Sequence, residues 1–339
     1  MRQADSSRRE LKPPHYQRRE GPLLVHLPRS FLSGDDPFIP IKLSESDGRA
    51  AEGELVFEAW HEGFIGIPHG GLAMGLCLDS WRRIGLPEYP VEARFKFGGS
   101  GVAIGDPVDF QVERSGPGES PAVTAKLTRR GDKTPYVRAD IVPADPSNGP
   151  DGALKRPTDE FRGLPYYRNC FVCGHHRSIP GLQRRFRAHT GEGGPVTTVV
   201  WGGSPDDRDR AELFLIGEDE LHPAILMSIF DENAGWSGFM LTRACGLSVR
   251  VSFTLLRPVK KSEPLLFMGW PVGVRGNPKA PRFFLAGGAV LSTKDPGRPE
   301  TVAFGQGEWI IRDEYTRQIT ENLLPANDWQ WIFGNREES

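Results

Sequence analysis

The chain has 339 residues, with 42 Lys and Arg against 44 Asp and Glu, a net charge of −2; a wholesale nucleic-acid-binding protein would show a basic domain instead. Hydrophobic residues make up 38% and charged residues 25%, the balance of a globular chain with enough apolar material for a core. No apolar run approaches the roughly 18 residues needed to cross a bilayer, and four cysteines in this length do not make a disulfide scaffold.

The 40 glycines and 30 prolines predict many turns and a strand-rich fold rather than a helix bundle. Residues 1–22 are charged, lack an apolar stretch and read as a flexible arm, not a secretory signal, so a cytoplasmic location is expected. A first domain is read over 23–142, a Pro-, Gly- and Asp-rich linker over 143–160, a second domain over 161–313 and a tail over 314–339. The tail is expected to dock a helix through Trp329 and Trp331.

The two domains read as one unit written twice. Phe31-Leu32-Ser33-Gly34 opens the first copy and Phe171-Val172-Cys173-Gly174 the second. Each is followed by a strand-like stretch (PFIPIKLSES, GLQRRFRAH), a polar turn and an alternating strand (ELVFEAW, VTTVVW). Next comes a His leading an apolar segment: His69 to Asp79 in the first copy, His222 to Glu232 in the second. Neither segment alternates strictly, and their length suits a helix buried on most sides. Further β-patterned stretches close each copy. The order β-β-helix-β-β-β, with room for one more strand, implies α+β, a helix packed on an antiparallel sheet. The copies are offset by 153 residues at the His and 157 at Pro107/Pro264, so the second carries a small insertion.

Three features together resemble the tandem hotdog-fold proteins of the acyl-CoA thioesterase group: His69-Gly70-Gly71 opening a helix with an acid nine or ten positions on; Cys170-Phe171-Val172-Cys173-Gly174 followed by Pro180-Gly181-Leu182; and Leu255-Leu256-Arg257-Pro258-Val259 after the second helix. They cover about 30–142 and 165–312, and the second copy matches better. The resemblance implies a double hotdog, each half a long helix wrapped by an antiparallel sheet of five or six strands, with the two units pairing into one sheet. It also implies that the N–H of the glycine after the His polarises a thioester carbonyl, while the acid comes from the paired unit's helix.

Thioester hydrolysis needs donors aimed at the developing oxyanion and a carboxylate to activate water. A helix N-terminus offers free N–H groups and a positive dipole end, and glycine lets a substrate approach closely. The copies differ here. Pro223 stands where the first copy has Gly70, and proline has no N–H. The acid nine positions after the His is Asp231 in the second copy but Leu78 in the first; the tenth is Glu232 and Asp79. Pairing therefore predicts one composite site, with His69, Gly70 and Gly71 from one half and Asp231 or Glu232 from the other. The opposite corner joins Pro223 to Asp79 and is expected to be weak. Asp79, flanked by Trp81 and Arg82, also reads as a plain helix-surface acid.

Arg257 and Lys260 are candidates for the phosphates of a CoA moiety. No other cofactor is expected. Cys170 and Cys173 have metal-ligand spacing with His175 and His176 next, but four ligands within seven residues would strain a tetrahedral site and no second pair lies nearby. Buried cysteines are the expectation there, with no metal. Met74, Met227, Trp236 and Phe239 are candidate pocket-lining residues, though such residues are core in most proteins. The glycine-rich run 98–105 precedes a strand, not a helix, so it reads as a hairpin connection rather than a dinucleotide loop. The expected partner is a small acyl thioester, with neither nucleic acid nor membrane, in a homo-oligomer. A hotdog hydratase or dehydratase, or a non-catalytic acyl-thioester binding protein, keeps the fold without this chemistry.

Overall fold

The computed structural model describes residues 39, 42–46, 50–83, 89–98, 101–116, 122–145, 160–177, 181–190, 194–202, 204–216, 218–325 and 329–334. The arm expected over 1–22, Phe31-Leu32-Ser33-Gly34, Pro180 and most of the linker lie outside them. The first half contributes β1 (Lys42–Ser46), β2 (Ala50–Val56), α1 (Gly70–Arg83), β3 (Val91–Phe97), β4 (Pro107–Arg114), β5 (Val123–Arg129) and β6 (Val137–Pro143). The second contributes β7 (Arg162–Gly163), β8 (Arg187–His189), β9 (Val196–Trp201), α2 (Pro205–Ala211), α3 (Pro223–Thr242), β10 (Gly246–Leu255), β11 (Leu265–Asn277), β12 (Ala280–Ser292) and β13 (Glu300–Ile311). After these come α4 (Asp313–Asn322) and α5 (Gln330–Phe333).

The architecture is α+β. The strands form one antiparallel sheet of 13 among the described residues, ordered β1-β2-β4-β5-β6-β3-β10-β13-β12-β11-β9-β8-β7. Adding seven to each label of the first half reproduces the order of the second from β8 inward, read from the opposite edge, where β7 is an additional edge strand. The halves join where β3 pairs with β10, from Lys96 opposite Arg250 to Val91 opposite Leu255. Alternation places one face of each strand inward: Val91, Ala93 and Phe95 on β3, and Val137, Ala139 and Ile141 on β6, are all buried.

The sheet wraps α1 and α3. Every residue of α3 from Pro223 to Phe239 is buried, the polar run Asp231-Glu232-Asn233 included, so the helix has no solvent face over this span. Pro223 suits the first helical position, where an N–H has no partner to lose, and Arg243 ends the helix in the left-handed region at φ +55°. The helices cross at van der Waals contact through glycine. A Cβ on Gly71 would lie 2.2 Å from Ser228 Cα, and one on Gly75 2.3 Å from Ala224 Cβ.

Several expectations need correction. Only Arg187–His189 of GLQRRFRAH is strand. Before it, Leu182 and Arg184 give their N–H groups to Phe171 and Val172 carbonyls, and the Arg184 side chain turns inward to Asp207. The loop before α3 holds α2, capped by Ser204, whose Oγ accepts from the Asp207 N–H at 3.1 Å, with Pro205 first in the helix. Among its described residues the tail forms two helices, and between them Leu323–Leu324 pairs with Tyr166–Tyr167.

Candidate active site

α1 starts at His69. The Gly71 N–H donates to His69 Nδ1 at 3.0 Å, and the Leu72 and Ala73 N–H groups donate to the His69 carbonyl. Among the described residues no group accepts from the Gly70 N–H, the first donor of the helix. The ring's Nδ1 is an acceptor, so its proton sits on Nε2.

Asp231 comes from the middle of α3 and stands over that helix start. A Cβ added at Gly70 would lie 3.0 Å from Asp231 Oδ2 and 3.6 Å from Phe97 Cζ. Its other oxygen accepts from Ser248 Oγ at 2.7 Å. Ser248 sits where the β10–β13 register shifts between Ser248 and Arg250, and such irregularities re-aim side chains. Burial raises the Asp231 pKa, while the His69 ring and the Ser248 hydroxyl pull it back. Tyr136 is also close enough to feel the Asp231 charge, and burial together with that charge raises its pKa. Its ring meets Phe97 edge-on at 5.7 Å, so Phe97 and Tyr136 form the apolar side of the corner.

Glu232 faces away from Gly70. Its Oε2 accepts from Cys170 Sγ at 3.0 Å and lies 3.5 Å from His69 Nε2, while its Oε1 accepts from Trp236 Nε1 at 3.4 Å. Cys170 belongs to the turn before β8. Its sulfur accepts the N–H groups of Val172 at 3.2 Å and Cys173 at 3.5 Å. Burial disfavours a thiolate, but the Cys173 thiol and the His69 ring outweigh it and hold the Cys170 thiol below its usual range. Burial also works against charge on His69, and Cys170 and Glu232 raise its pKa despite that. A second ring proton would still cost the bond from Gly71.

One corner thus gathers His69, Gly70, Gly71, Asp231 and Glu232, with different duties. Gly71, grouped with Gly70 in the expected composite site, spends its N–H on His69, and its missing side chain serves the helix crossing. Asp231, not Glu232, is the acid beside Gly70. Asp79 lies at the other corner. Its Oδ1 is 3.2 Å from His222 Nε2, and only 14% of its side chain is exposed, so it is not a helix-surface acid. Arg257 and Lys260 are not beside His69. Arg257 is held by Glu263 at 2.6 Å and Glu300 at 2.8 Å, and Lys260 by Asp219 at 3.2 Å. Their loop packs on the segment entering α3, through Leu221 N–H to the Val259 carbonyl.

No family model matches the sequence, and no curated protein does. Solved structures do. A TesB protein of Mycobacterium avium subspecies paratuberculosis superposes with a TM-score of 0.51 at 14% identity, covering 80% of this chain and 96% of that one. A protein of unknown function with a hot dog fold from Alicyclobacillus acidocaldarius gives 0.51, 14%, 80% and 96%. The CurJ dehydratase, determined as an inactive mutant with a bound compound, gives 0.50, 11%, 80% and 95%. The fold is hotdog. At these identities the likeness carries the fold alone: a structure titled a putative thioesterase II from Thermobifida fusca superposes with a TM-score of 0.51 at 14% identity, and the one titled a dehydratase superposes as well.

Within this hotdog architecture the two corners are built alike and equipped differently. His222 Nδ1 accepts from the Ala224 N–H at 3.0 Å, as His69 Nδ1 does from Gly71. Pro223 then replaces the donor Gly70, and buried Leu78 replaces Asp231. Sequence reasoning missed Ser248, Tyr136 and Cys170 as neighbours of the site. Only Cys170 carried a signal, its Cys-x-x-Cys spacing. Met74, Met227, Trp236 and Phe239 are buried core residues.

Proposed function

We propose that the chain is an acyl-CoA thioesterase-like hydrolase with a double hotdog architecture and one working corner. The single observation behind this reading is the Asp231 carboxyl from α3 standing over Gly70 at the start of α1. The thioester carbonyl oxygen takes the Gly70 N–H, at the positive end of the helix dipole. Asp231 removes a proton from water as its oxygen attacks the carbonyl carbon. The tetrahedral oxyanion is held by Gly70 N–H. Collapse breaks the carbon–sulfur bond, and the Asp231 proton passes to the leaving thiolate. Ser248 keeps the carboxylate oriented, and Phe97 and Tyr136 shield the reacting bond from bulk water. A solved structure named TesB shares the fold on which this chemistry would be built.

The test is thiol release from short, medium, long and aromatic acyl-CoAs by wild type and Asp231→Asn. At least one ester is hydrolysed by wild type, and the variant loses about 10²–10⁴-fold in kcat while still binding that ester. Binding without thiol release from any ester sinks the hydrolase reading and favours an acyl-thioester binding protein.

A further inference from the structure

The turn Cys170–Gly174 has the spacing of a cation-binding loop, yet its sequence neighbourhood offers no second ligand pair. The fold supplies one from elsewhere. His69 Nε2, Cys170 Sγ and Glu232 Oε2 all lie within 4.8 Å of one another, and all three residues are buried. They come from three separate segments: the residue before α1, the turn, and the middle of α3. We propose that His69, Cys170 and Glu232 bind one divalent cation of the zinc class through these three atoms.

Two of the three ligand–ligand edges suit a tetrahedral ion, and the third, His69 Nε2 to Cys170 Sγ, is within 4.8 Å. Zinc bonds of about 2.3 Å to sulfur and about 2.0 Å to nitrogen and oxygen set ligand–ligand edges of about 3.6 Å for S···O and about 3.3 Å for N···O. The observed edges are 3.0 Å and 3.5 Å, so loading opens one edge by about half an ångström and leaves the other nearly unchanged. A mixed sulfur, nitrogen and carboxylate set favours zinc over calcium or magnesium, which prefer oxygen alone. Three protein ligands leave a fourth position. Cys173, within hydrogen-bonding reach of Cys170 and Glu232, stands beside the set rather than in it.

Each ligand is held from outside. The Cys170 sulfur already accepts two backbone N–H groups, an arrangement that favours a thiolate. The turn is pinned by Phe171 N–H to the Glu62 carbonyl at 2.7 Å and by Gly174 N–H to the Cys170 carbonyl at 2.8 Å. Gly174 cannot be larger, because a Cβ would lie 2.5 Å from the Cys170 carbonyl oxygen and 2.6 Å from that of Arg168. Trp236 holds Glu232. The ion pairs of Glu232 among the described residues run to His69 alone, so a cation supplies the positive charge that a buried carboxylate and thiolate require.

Loading has a definite consequence at His69. A cation displaces the Nε2 proton, so the neutral ring then carries its hydrogen on Nδ1. Nδ1 can no longer accept from Gly71, and that N–H is released. Cation binding and capping of α1 by His69 are alternative states of one ring.

The inference does not rest on thioester hydrolysis, since metal content is read without substrate. The full chain, purified without chelator or polyhistidine tag, is loaded with zinc or cobalt and analysed by elemental mass spectrometry and absorption. About one ion per chain is expected, with the thiolate-to-cobalt charge-transfer band of a tetrahedral site. Cys170→Ser and Glu232→Gln, checked for folding by circular dichroism, should each weaken binding at least about 10-fold, and Cys77→Ser should not. A folded wild-type chain that takes up neither ion, or a cobalt protein lacking the thiolate band, overturns the site whether or not the variants fold. So does a Cys170→Ser protein that binds as tightly as wild type.

Discussion

Asp79 and His222 meet across the helix crossing, Oδ1 to Nε2, at 3.2 Å, the counterpart of Glu232 and His69 at 3.5 Å. Each pair ties the start of one helix to the middle of the other. The same bracing occurs at both corners, so bracing alone does not distinguish the corner proposed to work.

Asp79 should therefore matter for stability and little for turnover. Asp79→Asn is expected to cost about 1.5–3 kcal/mol, the range for a hydrogen bond to a charged group. Its kcat/KM with an accepted acyl-CoA should stay within about threefold of wild type, against the loss of about 10²–10⁴-fold at Asp231. Denaturant unfolding and thiol release on the same preparation check both.

Neighbouring glycines should separate packing from chemistry. Gly71→Ala drives a Cβ to 2.2 Å from the Ser228 backbone and should destabilise the chain by about 1–3 kcal/mol or more through overpacking. Gly70→Ala meets the Asp231 carboxyl at 3.0 Å, the end of a side chain that can move. Stability should change by under about 1 kcal/mol, while kcat/KM falls on the order of 10²-fold because the carboxylate is displaced. Thermal melts and steady-state rates of the two variants test the contrast.

Arg184 is 7% exposed, pairs with Asp207 and lies 4.8 Å over the Trp201 ring. Asp207→Ala leaves that charge buried and unpaired, which should cost about 3–5 kcal/mol. Replacing both partners, Arg184→Met with Asp207→Leu, should recover most of it. Urea midpoints of the single and double variants measure the difference.

Acid should weaken the Arg257 cluster in a defined direction. Arg257 holds Glu300 below the ordinary carboxylate value of 4.5. Burial pushes Glu263 up, but Arg257, helped by Ser292 and the Lys260 N–H, outweighs it and holds Glu263 below the same value. A depressed folded-state pKa contributes stability above the unfolded value that disappears as pH falls through the folded one. Wild type should therefore exceed Arg257→Met in Tm at neutral pH, and the gap should narrow as pH drops below 4.5. A gap that stays constant with pH would assign Arg257 a packing role only.

Periodicity made much of this molecule readable. Alternating runs such as VEARFKF lie in strands, and the two His-led apolar segments lie in the two long helices. The difference between Gly70 and Pro223 was visible because proline's missing N–H is a property of the residue itself. Contacts across the chain were not visible. Cys170 meets Glu232 from 62 positions away, and Ser248 reaches Asp231 through a register shift that composition does not encode. Arg257 looked like a free cation because one of its acids, Glu300, lies 43 positions on. Arg184 reads as part of a strand because nothing local announces that Asp207 draws it inward. The glycines of α1 looked like room for a ligand; for Gly71 the close neighbour is another helix.

Pairing β3 with β10 makes one sheet from two halves of a single chain. Two separate identical chains meeting about a twofold axis would present two identical corners, and any substitution would strike both. Covalent linkage removes that symmetry. Asp231 has Leu78 as its counterpart in the other corner, and Gly70 has Pro223, a difference that only halves free to change independently can hold.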